Sequence, residues 1–216
     1  MKIQILISKN SWAEKYEKSI KSNLREFSKN IIFLNNHKKL KAKYDVNIIF
    51  SYFKIIEKKY LEKSKFNLVP HESDLPKGKG MSPLTWQIIK GVQIITFSLF
   101  EASNKTDNGL IYLKKKIKIK KDLTFNEIKK LQFKVNILLI NVFLKYYKKN
   151  DKPLESSFPK GNSSFFKARV PKDSKMDINK SLRSQFNLLR TCDSNNYPAF
   201  FYINKKKYYL KLIKAK

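Results

Sequence analysis

The chain has 216 residues, 47 of them Lys or Arg against 17 Asp or Glu, for a formal charge of +30. This length suffices for one good core, or one core with a small appendage, and 16 Phe and 11 Tyr argue for a folded protein over a charged tail. No apolar run approaches the roughly 18 residues of a membrane span, the run over residues 1–7 is too short for a secretory signal, and a lone Cys192 excludes an intrachain disulfide and a paired-cysteine zinc site, so a reducing, cytoplasmic setting is expected.

The first seventy or so residues alternate as strand and helix. Residues 3–8 form an apolar strand, and Ser11 caps a helix running to about residue 28. A second strand covers 30–34. A third, over 46–50, is an unbroken apolar run of the kind a buried parallel strand needs. Residues 55–63 are helical by spacing, with Ile56 and Tyr60 on one face, and a fourth strand over 66–69 delivers the chain to Pro70 and His71. Polar groups just past the carboxyl end of a parallel strand stand where open α/β sheets bind ligands. A loop over 73–81 leads to Pro83, which opens a helix that stops at Gly91.

Residues 94–100 are a strand, and 101–106 a loop. Residues 109–119 form a strand whose alternating lysines suit an exposed edge. A long helix covers 126–147, and 148–164, with Pro153, Pro159 and Gly161, is the linker. The tail is a short helix over 179–190 and a hairpin turned at 204–206, too small to fold alone and therefore packed on the first domain. The division is residues 1–150 and 151–216. Of the basic residues only Arg25, Arg169, Arg183 and Arg190 are arginine. Dedicated phosphate readers favour the arginine fork, so the charge reads first as a solvated lysine surface. A field that draws anionic substrates is the alternative.

Chemistry concentrates in His71-Glu72-Ser73-Asp74-Leu75-Pro76-Lys77-Gly78-Lys79-Gly80, answered 36 residues after the histidine by Asp107 in Asp-Asn-Gly. Histidine, Ser at the second following position, Leu-Pro at the fourth and fifth, a Gly-rich basic turn and an acid at this distance resemble the signature of the folate-dependent formyltransferases. That family includes methionyl-tRNA formyltransferase, glycinamide ribonucleotide transformylase and the sugar N-formyltransferases. The segment 48–61 is similar to the strand and apolar turn that wall the folate pterin there, with Phe53 where Gly is common and Glu57 where Pro is common. Pro83, Gly91 and Ser98 (where Thr is usual) also fall in register. The tail resembles the sugar N-formyltransferases through Arg169, Pro171, Asp173 and Asp177, Asn-Leu-Leu-Arg at 187–190 and Tyr-Pro-Ala-Phe at 197–200.

The resemblance implies an α/β fold, a Rossmann-like formyltransferase core with a mostly parallel sheet, plus a small C-terminal helix and hairpin. It implies formyl transfer from N10-formyltetrahydrofolate to the amine of a nucleotide-linked amino sugar, without a metal. His71 and Asp107 would be catalytic. Phe53, Lys54, Ile55, Ile56 and Thr106 would hold the folate, and Ser73, Lys77, Gly78, Lys79 and Gly80 would lie beside the acceptor. Such a transfer builds negative charge on the formyl oxygen, which needs donors, and releases an amine proton, which needs a base. One departure concerns a donor. The family places an Asn two residues before the histidine, and Val69 stands there. Asn67 either reaches the site through a bulge or a bend at Pro70, or is an ordinary strand asparagine.

Alternatives remain open. Formylation of methionyl-tRNA would profit from the charge, although a tail of this size leaves little room for the larger C-terminal domain of those enzymes. A purine-pathway transformylase, whose family usually lacks such a tail, and a non-catalytic nucleic-acid-binding relative are the others. A homodimer is open and no membrane partner is expected. His37 reads as a solvated-face histidine, Trp86 as core or pocket wall, and Asp173 and Asp177 as helix-cap residues before a carboxylate pair. Lys77 to Gly80 is either a phosphate-cradling nest or a basic turn using glycine where φ is positive.

Overall fold

The computed structural model describes residues 1–215. The first apolar run is β1 (Ile3–Leu6), buried at all four positions. A short 3-10 turn leads into α1 (Glu17–Leu24), and the chain returns as β2 (Ile31–Leu34), parallel to β1. The next crossover lands on the other side of β1, as β3 (Tyr44–Ile49). That reversal opens a crevice at the carboxyl ends of β1 and β3, where the diverging connections leave the strand edges uncovered. A single-turn α2 (Lys58–Leu61) precedes β4 (Ser64–His71), which pairs parallel to β3 and ends on His71 itself.

After β4 come a two-residue strand β5 (Lys79–Gly80) and α3 (Pro83–Ile89), opened by proline at its first turn. Then β6 (Ile94–Glu101) runs antiparallel to β4, and β7 (Ile111–Lys118) closes the sheet as an edge strand carrying exposed lysines. The strand order is β2-β1-β3-β4-β6-β7, so β6 is the one reversed strand of the six. The long α4 (Phe125–Asn150) follows, started by a reciprocal cap in which Glu127 Oε2 accepts from the Thr124 backbone N–H and hydroxyl, both at 2.8 Å. The tail contributes β8 (Phe165–Phe166), α5 (Leu182–Leu189) and a hairpin of β9 (Ala199–Ile203) and β10 (Lys206–Leu210). Its turn places Asn204 and Lys205 at φ 48° and 63°, the pair of positive values that matches strand twist.

Apolar side chains of α1, α3 and α4 pack with Ile3, Ile5, Val46, Ile48, Leu68, Phe97 and Leu99 into one large core on one face of the sheet. The opposite face carries a smaller cluster of Leu6, Ile49, Ile56 and Leu61, joined by Val69 and Ala102. The tail is held to the sheet domain by defined bonds. Arg190 donates to the carbonyls of Lys120 and Leu123 at 3.1 and 3.2 Å, and Trp86 Nε1 donates to Lys167 O at 2.8 Å.

Several local expectations are corrected. Ser11 does not cap α1: its hydroxyl is buried without a partner, and the chain turns through Ser11 N–H to Ser8 O before the helix begins six residues later. The helix expected over 55–63 shrinks to the single turn α2, because Ile56 is drawn into the small cluster while its neighbours stay extended. His37 is buried, not solvated. The Tyr52 hydroxyl accepts from its backbone N–H at 3.2 Å and lies 2.8 Å from its Nδ1, and burial holds the imidazole below its ordinary value. Trp86 is half-buried and links α3 to the tail.

One charge sits in the large core's rim. Lys129 on α4 is 9% exposed, bonds Gln132 Oε1 at 2.9 Å and lies 5.1 Å over the Trp12 ring. Burial pushes its ammonium down to about 8, against the opposing pull of Glu72. A lysine depressed in the folded state destabilises while charged, and that penalty is relieved as pH rises from about 8 toward the unfolded value. Lys129→Met is therefore expected to raise stability at pH 7 by roughly 1–3 kcal/mol and to abolish the gain between about pH 8 and 10, as thermal melts at both pH values would register.

Candidate active site

The carboxyl end of β4 presents His71, buried, with its ring edge-on to Phe100 at 6.2 Å. Its Nε2 lies 2.9 Å from Gly78 O. A carbonyl only accepts, so Nε2 carries the proton in this contact. Directly across the β4–β6 pair stands Ser98, whose hydroxyl donates to Ser73 O at 2.7 Å. Behind the strand, Asn136 donates to Glu72 Oε1 at 2.8 Å and Gln87 to Glu72 O at 2.6 Å. The segment His71-Glu72-Ser73 is thus pinned from both faces, which fixes the imidazole.

The acid arrives from the β6–β7 loop. Asp107 adopts φ 45°, and its Oδ2 accepts from Gly80 N–H at 2.7 Å while standing 3.7 Å from His71 Nε2. No hydrogen bond among the described residues uses its Oδ1. The loop can close this tightly because Gly109 has no side chain: a Cβ there would sit 1.6 Å from Glu101 O. The turn between His71 and Asp107 is equally constrained. Gly78 and Gly80 have φ 71° and 94°, open to glycine at little cost, and a Cβ on Gly80 would meet Phe166 O at 2.4 Å. That oxygen belongs to β8, which pairs in parallel with β5. Gly78 N–H donates to Ser164 Oγ at 2.9 Å, and Lys79 N–H to Ser164 O at 2.9 Å. The tail therefore straps the turn.

The structure thus gathers His71, Asp107, Gly78, Lys79 and Gly80 in one place. Lys77 is exposed on the rim, and Ser73 lies buried beneath the turn with its hydroxyl unpartnered. Lys79 is 5% exposed and donates to Asn108 Oδ1 at 2.7 Å. Nothing in the sequence except its place beside Asp107 marked Asn108. Phe53, Lys54 and Ile55 form an exposed ledge past the end of β3, with Phe53 and Ile55 52% and 62% exposed. Ile56 is the buried root of this ledge, clustered with Val69 and Ala102, so the ledge connects to the His71 strand and to the loop that carries the exposed Thr106. Asp173 accepts from Val170 N–H and Lys167, and Asp177 from Asn179 N–H, so they close turns and form no carboxylate pair.

Asn67 is the expectation the structure does not bring to the site. Its carboxamide lies in a buried polar chain four residues back along β4. Nδ2 donates to Leu61 O at 3.0 Å and Glu101 Oε1 at 3.2 Å, and Oδ1 accepts from Asn47 Nδ2 at 3.1 Å. Both amide hydrogens are spent, and β4 runs without a bulge to carry the group forward. Val69, nearer the histidine, packs among Leu75, Phe100 and Ile111 and into the cluster under the ledge.

The family described as Formyl transferase matches residues 7–142. The bifunctional polymyxin resistance protein ArnA of Wigglesworthia glossinidia brevipalpis is 36% identical over 171 residues, covering 77% of this chain and 26% of that protein. A methionyl-tRNA formyltransferase of Prochlorococcus marinus is 34% identical over 117 residues, covering 54% of this chain and 34% of its own. The chain thus spans about a quarter to a third of these two relatives. A solved sugar N-formyltransferase from a Shewanella species shares the fold with a TM-score of 0.67 at 14% identity, covering 99% of this chain and 100% of that one.

Removing the Asn67 carboxamide strands Glu101 and Asn47 in the interior. Asn67→Ala is expected to cost about 1–3 kcal/mol in urea unfolding while the His71–Asp107 separation stays as it is. A variant of unchanged stability would contradict this placement.

Proposed function

We propose that this chain, which belongs to the formyl transferase family, moves a formyl group from N10-formyltetrahydrofolate to the amine of a nucleotide-linked amino sugar. The observation that carries the reading is the pairing of His71 Nε2–H with the Asp107 carboxylate across 3.7 Å, both fixed to one glycine turn. Asp107 Oδ1 is left to take the proton the amine loses. The His71 N–H, withdrawn from Gly78 O, is left to donate where negative charge develops on the formyl oxygen. The apolar ledge of Phe53 and Ile55 at the crevice fits the flat face of a pterin, which gains from burial against such surface.

Support for the sugar acceptor is the tail, whose Arg169, Pro171, Asp173 and Asp177, with the segments 187–190 and 197–200, resemble the sugar N-formyltransferases, and whose residues 164–166 strap the turn of the site. A second reading, formylation of an aminoacyl-tRNA, draws on the relatives of that name and on the exposed lysines of β7. The two separate on salt. Binding to tRNA phosphates releases counterions and weakens steeply with ionic strength, whereas a nucleotide sugar held mainly in a pocket loses far less. No helix among the described residues is long and apolar enough to cross a membrane.

Purified protein mixed with the formyl donor and a panel of dTDP- and UDP-linked amino sugars is expected to form an N-formyl sugar, with a melting-temperature rise for donor and acceptor each. His71→Asn and Asp107→Asn are each expected to cut turnover by about 10²–10⁴-fold with the fold intact. Near-normal turnover in either variant would remove that residue from the chemistry. Formylation of Met-tRNA alone would replace the sugar by the tRNA.

A further inference from the structure

We infer that Asn108 is a further catalytic residue, its carboxamide donating to the formyl oxygen as charge gathers there. This role rests on the proposed formyl transfer. In that reaction the amine nitrogen bonds the formyl carbon, the bond from that carbon to the donor nitrogen breaks, and its electron pair returns to that nitrogen. The amine proton passes to Asp107 and on to the departing nitrogen. Between these events the formyl oxygen bears the charge, and it has room for a second preorganised donor beside the His71 N–H.

The candidates around His71 and Asp107 narrow quickly. Asn67 has both amide hydrogens committed to Leu61 O and Glu101 Oε1. Val69 has no donor on its side chain, and its surroundings are apolar. The Ser73 hydroxyl is buried under the turn, with its Cβ only 2.9 Å from where a Gly78 Cβ would stand, so reaching a substrate would require the turn to lift. Lys79 is buried and directs its ammonium at Asn108 Oδ1, 2.7 Å away.

That bond defines what Asn108 offers. An ammonium only donates, so the carboxamide oxygen must face it, and the amide nitrogen is turned the other way. None of the hydrogen bonds among the described residues uses that nitrogen. Asn108 is half-buried, follows the Asp107 that holds Gly80, and precedes the Gly109 that cannot accept a side chain. Its backbone is therefore held on both sides, and its side chain is fixed at the oxygen by Lys79. Lys79 itself lies between the Gly78 and Gly80 that hold the imidazole and the acid, and both amide N–H hydrogens of Asn108 are uncommitted. The buried ammonium also polarises the carboxamide and strengthens it as a donor.

Asn108→Asp keeps the oxygen for Lys79 and loses the donor, while Asn108→Ala loses both without adding charge. Asn108→Asp is expected to keep its melting temperature within a few degrees, and Asn108→Ala to melt lower because it strands the buried Lys79 ammonium. Below their melting points both are expected to keep each KM within a few-fold and to lose about 10²–10³-fold in kcat. A second measurement does not depend on turnover. Wild-type protein is expected to bind 10-formyl-5,8-dideazafolate several-fold more tightly than 5,8-dideazafolate itself, and both variants to lose that preference. Retained kcat, a loss confined to KM, or a retained preference for the formylated probe would each overturn the role of Asn108 while leaving formyl transfer standing. Wild-type protein that binds neither folate would overturn both.

Discussion

The site depends on one tripeptide, Gly78-Lys79-Gly80, held on both edges. On the inner edge Gly78 O accepts from His71 Nε2–H and Gly80 N–H donates to the Asp107 carboxylate. On the outer edge Gly78 N–H, Lys79 N–H and Met81 N–H are consumed by Ser164 and Phe166 of the tail. The strand-end histidine and the loop aspartate stand within ion-pair distance of one another, at 3.7 Å, but share no direct hydrogen bond. Their separation is set by what each does with this backbone. The positive φ values and the 2.4 Å approach of Phe166 O to a Gly80 Cβ are why glycine stands there.

A second constraint lies within the sheet. On one face α1, α3 and α4 bury an apolar core, whose aromatic centre is Phe143 against Phe66 and Tyr112. The other face is part polar. Gln4 donates to Ser64 Oγ at 2.8 Å, and Asn47 and Asn67 pair there and connect through Glu101 to the Tyr112 hydroxyl at the edge of the core, a chain from β3 to β7. Buried polar groups of this kind cost free energy unless each finds its partner, so they penalise any slip in strand register. Burial raises Glu101 above the ordinary carboxylate range and pushes Tyr112 higher still than a free phenol, the signature of desolvated groups kept in place by their neighbours. The asparagine on β4 belongs to this register device.

The basic charge has two fates. Lysines on the β7 edge point into water and keep that edge from pairing with another chain. Lys79 and Lys129 are buried without a carboxylate within ion-pair distance among the described residues, each using a neutral side-chain oxygen, Asn108 and Gln132 respectively.

The sequence by itself determined the order of the strands in the first half, the long helix, the hairpin and the placement of His71 at a strand's carboxyl end. These follow from local signals: unbroken apolar runs, proline at a helix start and period-2 or period-3.6 spacing. The resemblance of the His71 segment, the glycine turn and the Asp107 spacing to the formyltransferase signature also pointed to the two residues that the fold brings together. Tertiary structure decided the rest. Whether Asn67 reaches the histidine depends on which donors and acceptors surround it, and those come from Leu61, Asn47 and Glu101 on three other segments. Whether His37 is solvated depends on Tyr52 folding back over it. Asn108 became visible only once Lys79 was seen turned toward it. Periodicity reports which way a side chain leaves the backbone, but a hydrogen bond between residues distant in the chain is a property of the packed whole.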